Sequence, residues 1–182
     1  MGHAGTLDPN AEGLMLLATD KYTKLFNYTQ ETDKTYKVST LFGNSSDYID
    51  TDTEVTKNND IDLSKHVSEL EKLLTDFLGT SLQKPPMYSA VKVDGKRLYK
   101  YARQGKEVEI PEREININKF TLLKVDGAKA DFLITVSKGT YIRSLILDLA
   151  LKLNTTAVVT EILRTNIGKL SIDHPEYIND VN

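Results

Sequence analysis

Residues 115–125 and 130–136 are two apolar-rich runs joined by Asp126-Gly127, a dipeptide that favours a tight hairpin turn. That pairing commits the chain to antiparallel strands rather than to alternating parallel units. Residues 34–42 (KTYKVSTLF) read as a further strand, with Tyr36, Val38 and Thr40 on one face and Lys37, Ser39 and Leu41 on the other. Residues 64–78 predict an amphipathic helix, because Val67, Leu70, Leu73, Leu74, Phe77 and Leu78 recur at three- and four-residue steps. Gly79 stands where that helix would stop. A second helix is expected over 140–153, with Ile142, Leu145, Ile146 and Leu149 facing a core.

The remaining segments are shorter. A buried strand is expected at 13–18, followed by a helix over 20–30 capped by Asp20, with Tyr22, Leu25 and Phe26 on its apolar side. Residues 44–62 are polar and loop-like. After Pro85-Pro86, a strand at 88–93, a turn at Asp94-Gly95 and a short helix at 97–104 are expected. Residues 156–163 fit a strand or a helix, and the pattern after Gly168 is weak. Hairpin-linked strands without a βαβ rhythm predict an α+β fold, with a mixed, largely antiparallel sheet flanked by helices.

Composition narrows the function class. The absence of cysteine excludes disulfides and thiolate-bound zinc. His3, His66 and His174 are far apart and show no metal-ligand spacing, so no metal is expected. No run of about 18 apolar residues suggests a membrane span. No basic-then-apolar leader pattern is present, and a soluble, cytoplasmic protein is expected. The net charge is −3, but it is unevenly spread. Residues 47–76 hold nine acids and three lysines. Residues 84–106 hold Lys84, Lys92, Lys96, Arg97, Lys100, Arg103 and Lys106 against the single acid Asp94. A local basic patch suits a polyanion partner, and a solvated helix face is the plainer alternative.

Two motifs could carry chemistry. Gly2-His3-Ala4-Gly5-Thr6-Leu7-Asp8-Pro9 reads as a tight loop with a carboxylate at its tip. It lacks the Gly-Lys-Ser/Thr of a phosphate loop, and Asp-Pro is also a common turn signal. Ser137-Lys138-Gly139-Thr140-Tyr141-Ile142-Arg143 falls at a strand-to-helix junction, where Arg143 could reach a carboxylate. Tyr36 is a third candidate, as a stacking platform or as part of the core.

Together these segments resemble a known family. Gly-His-Ala-Gly-Thr-Leu-Asp-Pro, followed by Glu12-Gly13-Leu14-Met15, looks like the signature of the tRNA pseudouridine-55 synthases, the TruB family. Lys34-Thr35-Tyr36-Lys37-Val38 resembles the family's second motif. Residues 84–92 and 95–105 resemble its bacterial RNA-binding segment, and Ser137 to Arg143 and Leu163-Arg164-Thr165 complete the order. The resemblance runs to about Ser171.

The resemblance implies a pseudouridine-synthase-like fold and isomerisation of uridine in the T loop of tRNA, without a cofactor. Asp8 falls on the family's nucleophile. Arg143 matches the arginine that pairs with it, and Tyr36 the tyrosine that stacks on the target base. Tyr141 and Ile162 match further contacts around the uracil, and His3 the histidine that enters the T loop. Lys24, Lys84, Lys92, Lys96, Arg97, Lys100, Arg103 and Arg164 are implied to hold RNA. Family members also carry a segment before the Gly-His motif and, in bacteria, a C-terminal PUA-type domain. The expected organisation is therefore a catalytic domain over 1–171 lacking that first segment, then a tail over 172–182 and no PUA domain. A non-catalytic RNA-binding fragment of the same fold is the alternative. A glycoside hydrolase would need a second acid near Asp8.

Overall fold

The computed structural model describes residues 1–26, 32–106 and 108–173. Its centre is a mixed sheet built on β4 (Lys34–Phe42), whose alternating side chains bury Val38, Thr40 and Phe42. Three two- or three-residue strands precede it: β1 (Gly2–His3), β2 (Ala11–Gly13) and β3 (Leu17–Ala18). A small ribbon of β5 (Asn44–Ser45) and β6 (Thr56–Lys57) follows, then helix α1 (Val67–Asp76) and strand β7 (Gly79–Gln83). Next come β8 (Lys92–Val93), β9 (Lys96–Arg97) and the short helix α2 (Leu98–Ala102). The long strands β10 (Arg113–Asp126) and β11 (Lys129–Val136) lead to helix α3 (Ile142–Lys152), β12 (Ala157–Ile167) and β13 (Leu170–Ser171).

The main sheet has the order β13–β12–β4–β11–β10–β7, with β2 alongside β12. All its pairings are antiparallel except β2 with β12. The α+β class follows from that topology. Helices α1 and α3 cover one face. Leu70 and Leu74 of α1, and Leu145, Ile146 and Leu149 of α3, share a core with Val38, Phe42, Phe132 and Ile134. Phe120 bridges Phe77 and Phe132 in edge-on contacts at 6.0 and 5.4 Å, the geometry aromatic quadrupoles favour. No helix among the described residues is long and apolar enough to cross a membrane.

Two features of the register position the site. Tyr36 lies opposite Arg164, and Val38 opposite Ile162, across β4 and β12. Strand β2 carries the end of the Gly-His loop onto the same stretch of β12, pairing Ala11 with Ile162 and Gly13 with Arg164. Gly13 has φ +114, and a Cβ there would meet the Arg164 carbonyl oxygen at 2.3 Å, so only glycine allows this approach.

Several expectations need correction. Residues 13–18 are not one buried strand. The Leu14 N–H is held by the Arg164 carbonyl, the chain then turns to pair with β1, and Leu17 is 57% exposed. Over 20–30 the described part is a 3-10 helix, Asp20–Leu25; Thr19, not Asp20, stands at its cap, and Tyr22 is exposed. Residues 27–30 of that expected helix lie outside the described residues, as does the tail beyond 173. The expected strand over 88–93 shrinks to β8. It forms a hairpin with β9 across Asp94-Gly95, whose φ values of 49 and 76 are those of a type I′ turn. Residues 157–167 are strand, which settles the open choice for the segment beginning at 156.

Candidate active site

A cleft of about 640 Å³ opens at one end of the sheet, within the range that encloses a ligand of nucleotide size. Its lining includes His3 and Asp8 from the Gly-His loop, Tyr36 from β4, Ile162 from β12 and Tyr141 from the turn before α3. Residues remote in sequence meet here because β4 and β12 are neighbours and the Gly-His loop is anchored on β12 through β2.

Behind Asp8 lies Arg143, in the first turn of α3. Its Nε donates to Asp8 Oδ2 at 2.7 Å. Its Nη1 donates to the Tyr48 carbonyl at 2.7 Å and stands 3.4 Å from Asp50 Oδ2. Its Nη2 donates to the Tyr88 carbonyl at 3.3 Å. The Arg143 side chain is only 6% exposed, against 39% for Asp8. Every arm of the guanidinium fork is therefore used within the protein, while the carboxylate it orients faces solvent. Arg143 is absent from the cleft lining, and it reaches the site through its bond to Asp8, the pairing expected from the sequence.

Arg164 needs a larger correction. It was expected to hold RNA phosphate, yet it is 1% exposed. Its Nε donates to the Leu14 carbonyl at 2.7 Å, and its two terminal nitrogens lie 3.4 and 3.3 Å from the Thr6 and Gly5 carbonyls. A buried charge must be met by acceptors, and here the backbone of the Gly-His loop supplies them. Arg164 fastens the loop that carries Asp8. It also flanks Tyr36, whose phenol is pushed above its ordinary pKa by burial, with the Arg164 charge pulling the other way.

The structure brings in residues not singled out from the sequence. Asp50 shares Arg143 with Asp8, so a second carboxylate does stand near the first. It is 9% exposed, lies outside the cleft lining, and accepts from the Asp52 N–H. It therefore cannot flank a bond in the cleft, as paired-carboxylate hydrolysis requires. Burial raises the Asp50 pKa, opposed by the Asp52 N–H and by Arg143. A raised folded pKa means tighter proton binding in the native state, so this contribution to stability is fully present at low pH and is lost as pH rises through the shifted pKa. Asp50→Asn should therefore gain stability relative to the unsubstituted chain as pH climbs through that window. Urea midpoints measured at several pH values check it.

Lys34, Arg113 and Lys138 also line the cleft. Lys34 and Lys138 lie within motifs already noted, but no sequence signal marks Arg113. Apart from Arg164, which reaches the cleft wall, the expected RNA-binding residues lie outside the cleft lining. Lys24, Lys84, Lys92, Arg97, Lys100 and Arg103 are exposed, and none forms an ion pair among the described residues. Lys96 is half-buried; its ammonium donates to Gln104 Oε1 at 2.7 Å and lies 4.6 Å from the Tyr101 ring centroid. Segment 84–106 has its own small core of Val91 and Leu98, joined by Ile110 and flanked by Tyr141.

The family described as TruB family pseudouridylate synthase (N terminal domain) matches residues 1–142. The chain belongs to the TruB family. It is 36% identical over 182 residues to the tRNA pseudouridine synthase B of Mycoplasmopsis pulmonis, covering 100% of this chain and 64% of that protein. It is 43% identical over 173 residues to the protein of the same description from Fusobacterium nucleatum, covering 95% and 60% respectively. The chain thus spans less than two thirds of the length of these TruB relatives. Among solved structures, a Cbf5-Nop10-Gar1 complex aligns with a TM-score of 0.64 and 26% identity, over 93% of this chain and 41% of that one. An H/ACA RNP bound to a substrate RNA containing 2'-deoxyuridine aligns with a TM-score of 0.63 at 22% identity, over 93% and 39%, a likeness of fold.

Proposed function

We propose that this chain carries the catalytic site of a tRNA pseudouridine synthase acting on a uridine of the T loop. The observation that carries the reading is the pairing of Asp8 with buried Arg143 at a nucleotide-sized cleft lined by Tyr36. In the isomerisation the N1–C1′ bond breaks, a C5–C1′ bond forms, the C5 proton leaves and N1 gains one. No redox partner or external group is consumed. Asp8 serves as nucleophile, at C1′ of the sugar or C6 of the base, and Arg143 holds it in position. The Tyr36 phenol is neutral at physiological pH and burial favours that form further, so its ring can face a base without placing a charge against it. The uridine must leave its stack to reach this cleft, and we assign His3, an exposed residue of the cleft lining, to fill the gap left behind.

The exposed cations of 84–106 supply contacts to RNA phosphates, which hold the substrate without reading its sequence. Lys100→Glu should weaken tRNA binding at low salt, with the deficit shrinking as salt rises, because one phosphate contact becomes a repulsion. Filter binding over a salt series measures this. Turnover is tested by tritium release to water from tRNA labelled at uridine C5. Release supports the isomerase; binding without release favours the non-catalytic RNA-binding alternative.

A further inference from the structure

Gln83, the last residue of β7, is 3% exposed, and both ends of its side-chain amide are bonded to one residue. The Tyr141 N–H donates to Gln83 Oε1 at 2.8 Å, and Gln83 Nε2 donates to the Tyr141 carbonyl at 3.0 Å. A planar amide bonded to the N–H and C=O of the same residue acts as a neighbouring strand would. It fixes both the position and the rotation of that residue. We infer that Gln83 is a positioning residue for the reaction, setting Tyr141 in the cleft and, two residues on, Arg143 against Asp8. The inference rests on the isomerase reading above.

The chain around Gln83 explains why a clamp is needed. Pro85 and Pro86 have no N–H to offer a sheet, so this stretch cannot be held by ordinary strand pairing. It is held by side chains of α3 instead. Ser144 Oγ donates to the Lys84 carbonyl at 3.1 Å, and Arg143 Nη2 to the Tyr88 carbonyl at 3.3 Å. Tyr141 packs against the small core of Val91, Leu98 and Ile110. The start of the basic segment is thus registered to the same helical turn that holds Asp8. Of these contacts, only the Gln83 clamp meets both backbone groups of a cleft residue.

The test uses Gln83→Met, which keeps length and volume but removes both bonds. The Tyr141 amide should lose protection from hydrogen exchange, and the Arg143 Nε–H resonance, which reports its bond to Asp8, should shift or broaden. The kcat for tritium release should fall about 10- to 100-fold, the scale of a small misplacement of reacting groups, with KM changed far less. Gln83→Asn, which keeps the amide but is one methylene too short to meet both backbone groups, covers the case in which Gln83→Met does not fold. It should show a smaller change in the same direction. Unaltered Tyr141 exchange and Arg143 resonance, or an unaltered kcat, overturns the inference. If the unsubstituted chain releases no tritium, the isomerase reading fails, and the exchange and resonance measurements still decide whether Gln83 sets Tyr141 and Arg143.

Discussion

Asp8→Asn is expected to lower kcat for pseudouridine formation by about 10⁴-fold or more, the scale seen when a covalent nucleophile is removed. The substitution keeps the size of the side chain and its place on the loop. That loop is held by contacts that do not involve the carboxylate: the β2 pairing with β12, and the Arg164 bonds to Gly5, Thr6 and Leu14. RNA binding should therefore persist within a few-fold, since the exposed cations of 84–106 are untouched. Single-turnover assays with a T stem-loop, run beside filter binding, separate the two effects. An Asp8→Asn protein that kept most of its turnover would remove Asp8 from the chemistry.

The second large effect is expected at Arg143, where stability and activity should fall together. Arg143→Met leaves Asp8, Asp50 and the carbonyls of Tyr48 and Tyr88 without their shared donor. Removing one partner of a buried ion pair costs about 3–5 kcal/mol, and the partial exposure of Asp8 places the expected loss near the lower figure, about 3 kcal/mol. Arg143→Lys should separate the two roles. Lysine keeps the charge but offers no planar fork, so it cannot meet two carboxylates and two carbonyls at once. It should fold with a smaller stability loss while kcat falls about 100-fold, because Asp8 is no longer held at its attack angle. Urea denaturation and kcat measured on both variants test this. Wild-type kcat in Arg143→Lys would show that the fork geometry is dispensable.

Much of the fold could be read directly from residue patterns. Strand β4 was legible because its side chains alternate over nine residues and one face buries Val38, Thr40 and Phe42. The β10–β11 hairpin was legible from its turn dipeptide, and α3 from the spacing of its buried residues. Strand β7 was not, because Thr80, Ser81 and Leu82 are exposed and the strand exists only through pairing with β10. Apolar content misled at 13–18, where the close approach of Gly13 to Arg164 breaks the run and exposes Leu17.

The site shows the same division. Asp8, Tyr36 and Arg143 stood in motifs whose order was informative. Asp50 sits in an acidic, patternless segment and reaches Arg143 because residues 46–50 form a turn bridged to Val159. Arg164 read as a surface cation, since charged residues are rarely buried. What reverses that is the cluster of carbonyls turned toward it by a loop 150 residues away, which no local pattern encodes.

We propose that Asp8, oriented by Arg143, isomerises a uridine held in this cleft, and nucleoside and mass analysis of a T stem-loop RNA incubated with the protein tests this. The expected result is pseudouridine in place of the target uridine, with no change in RNA mass and no free base. Release of free uracil would make the protein a base-cleaving hydrolase, and an unchanged uridine in RNA that is demonstrably bound would contradict the catalytic reading altogether.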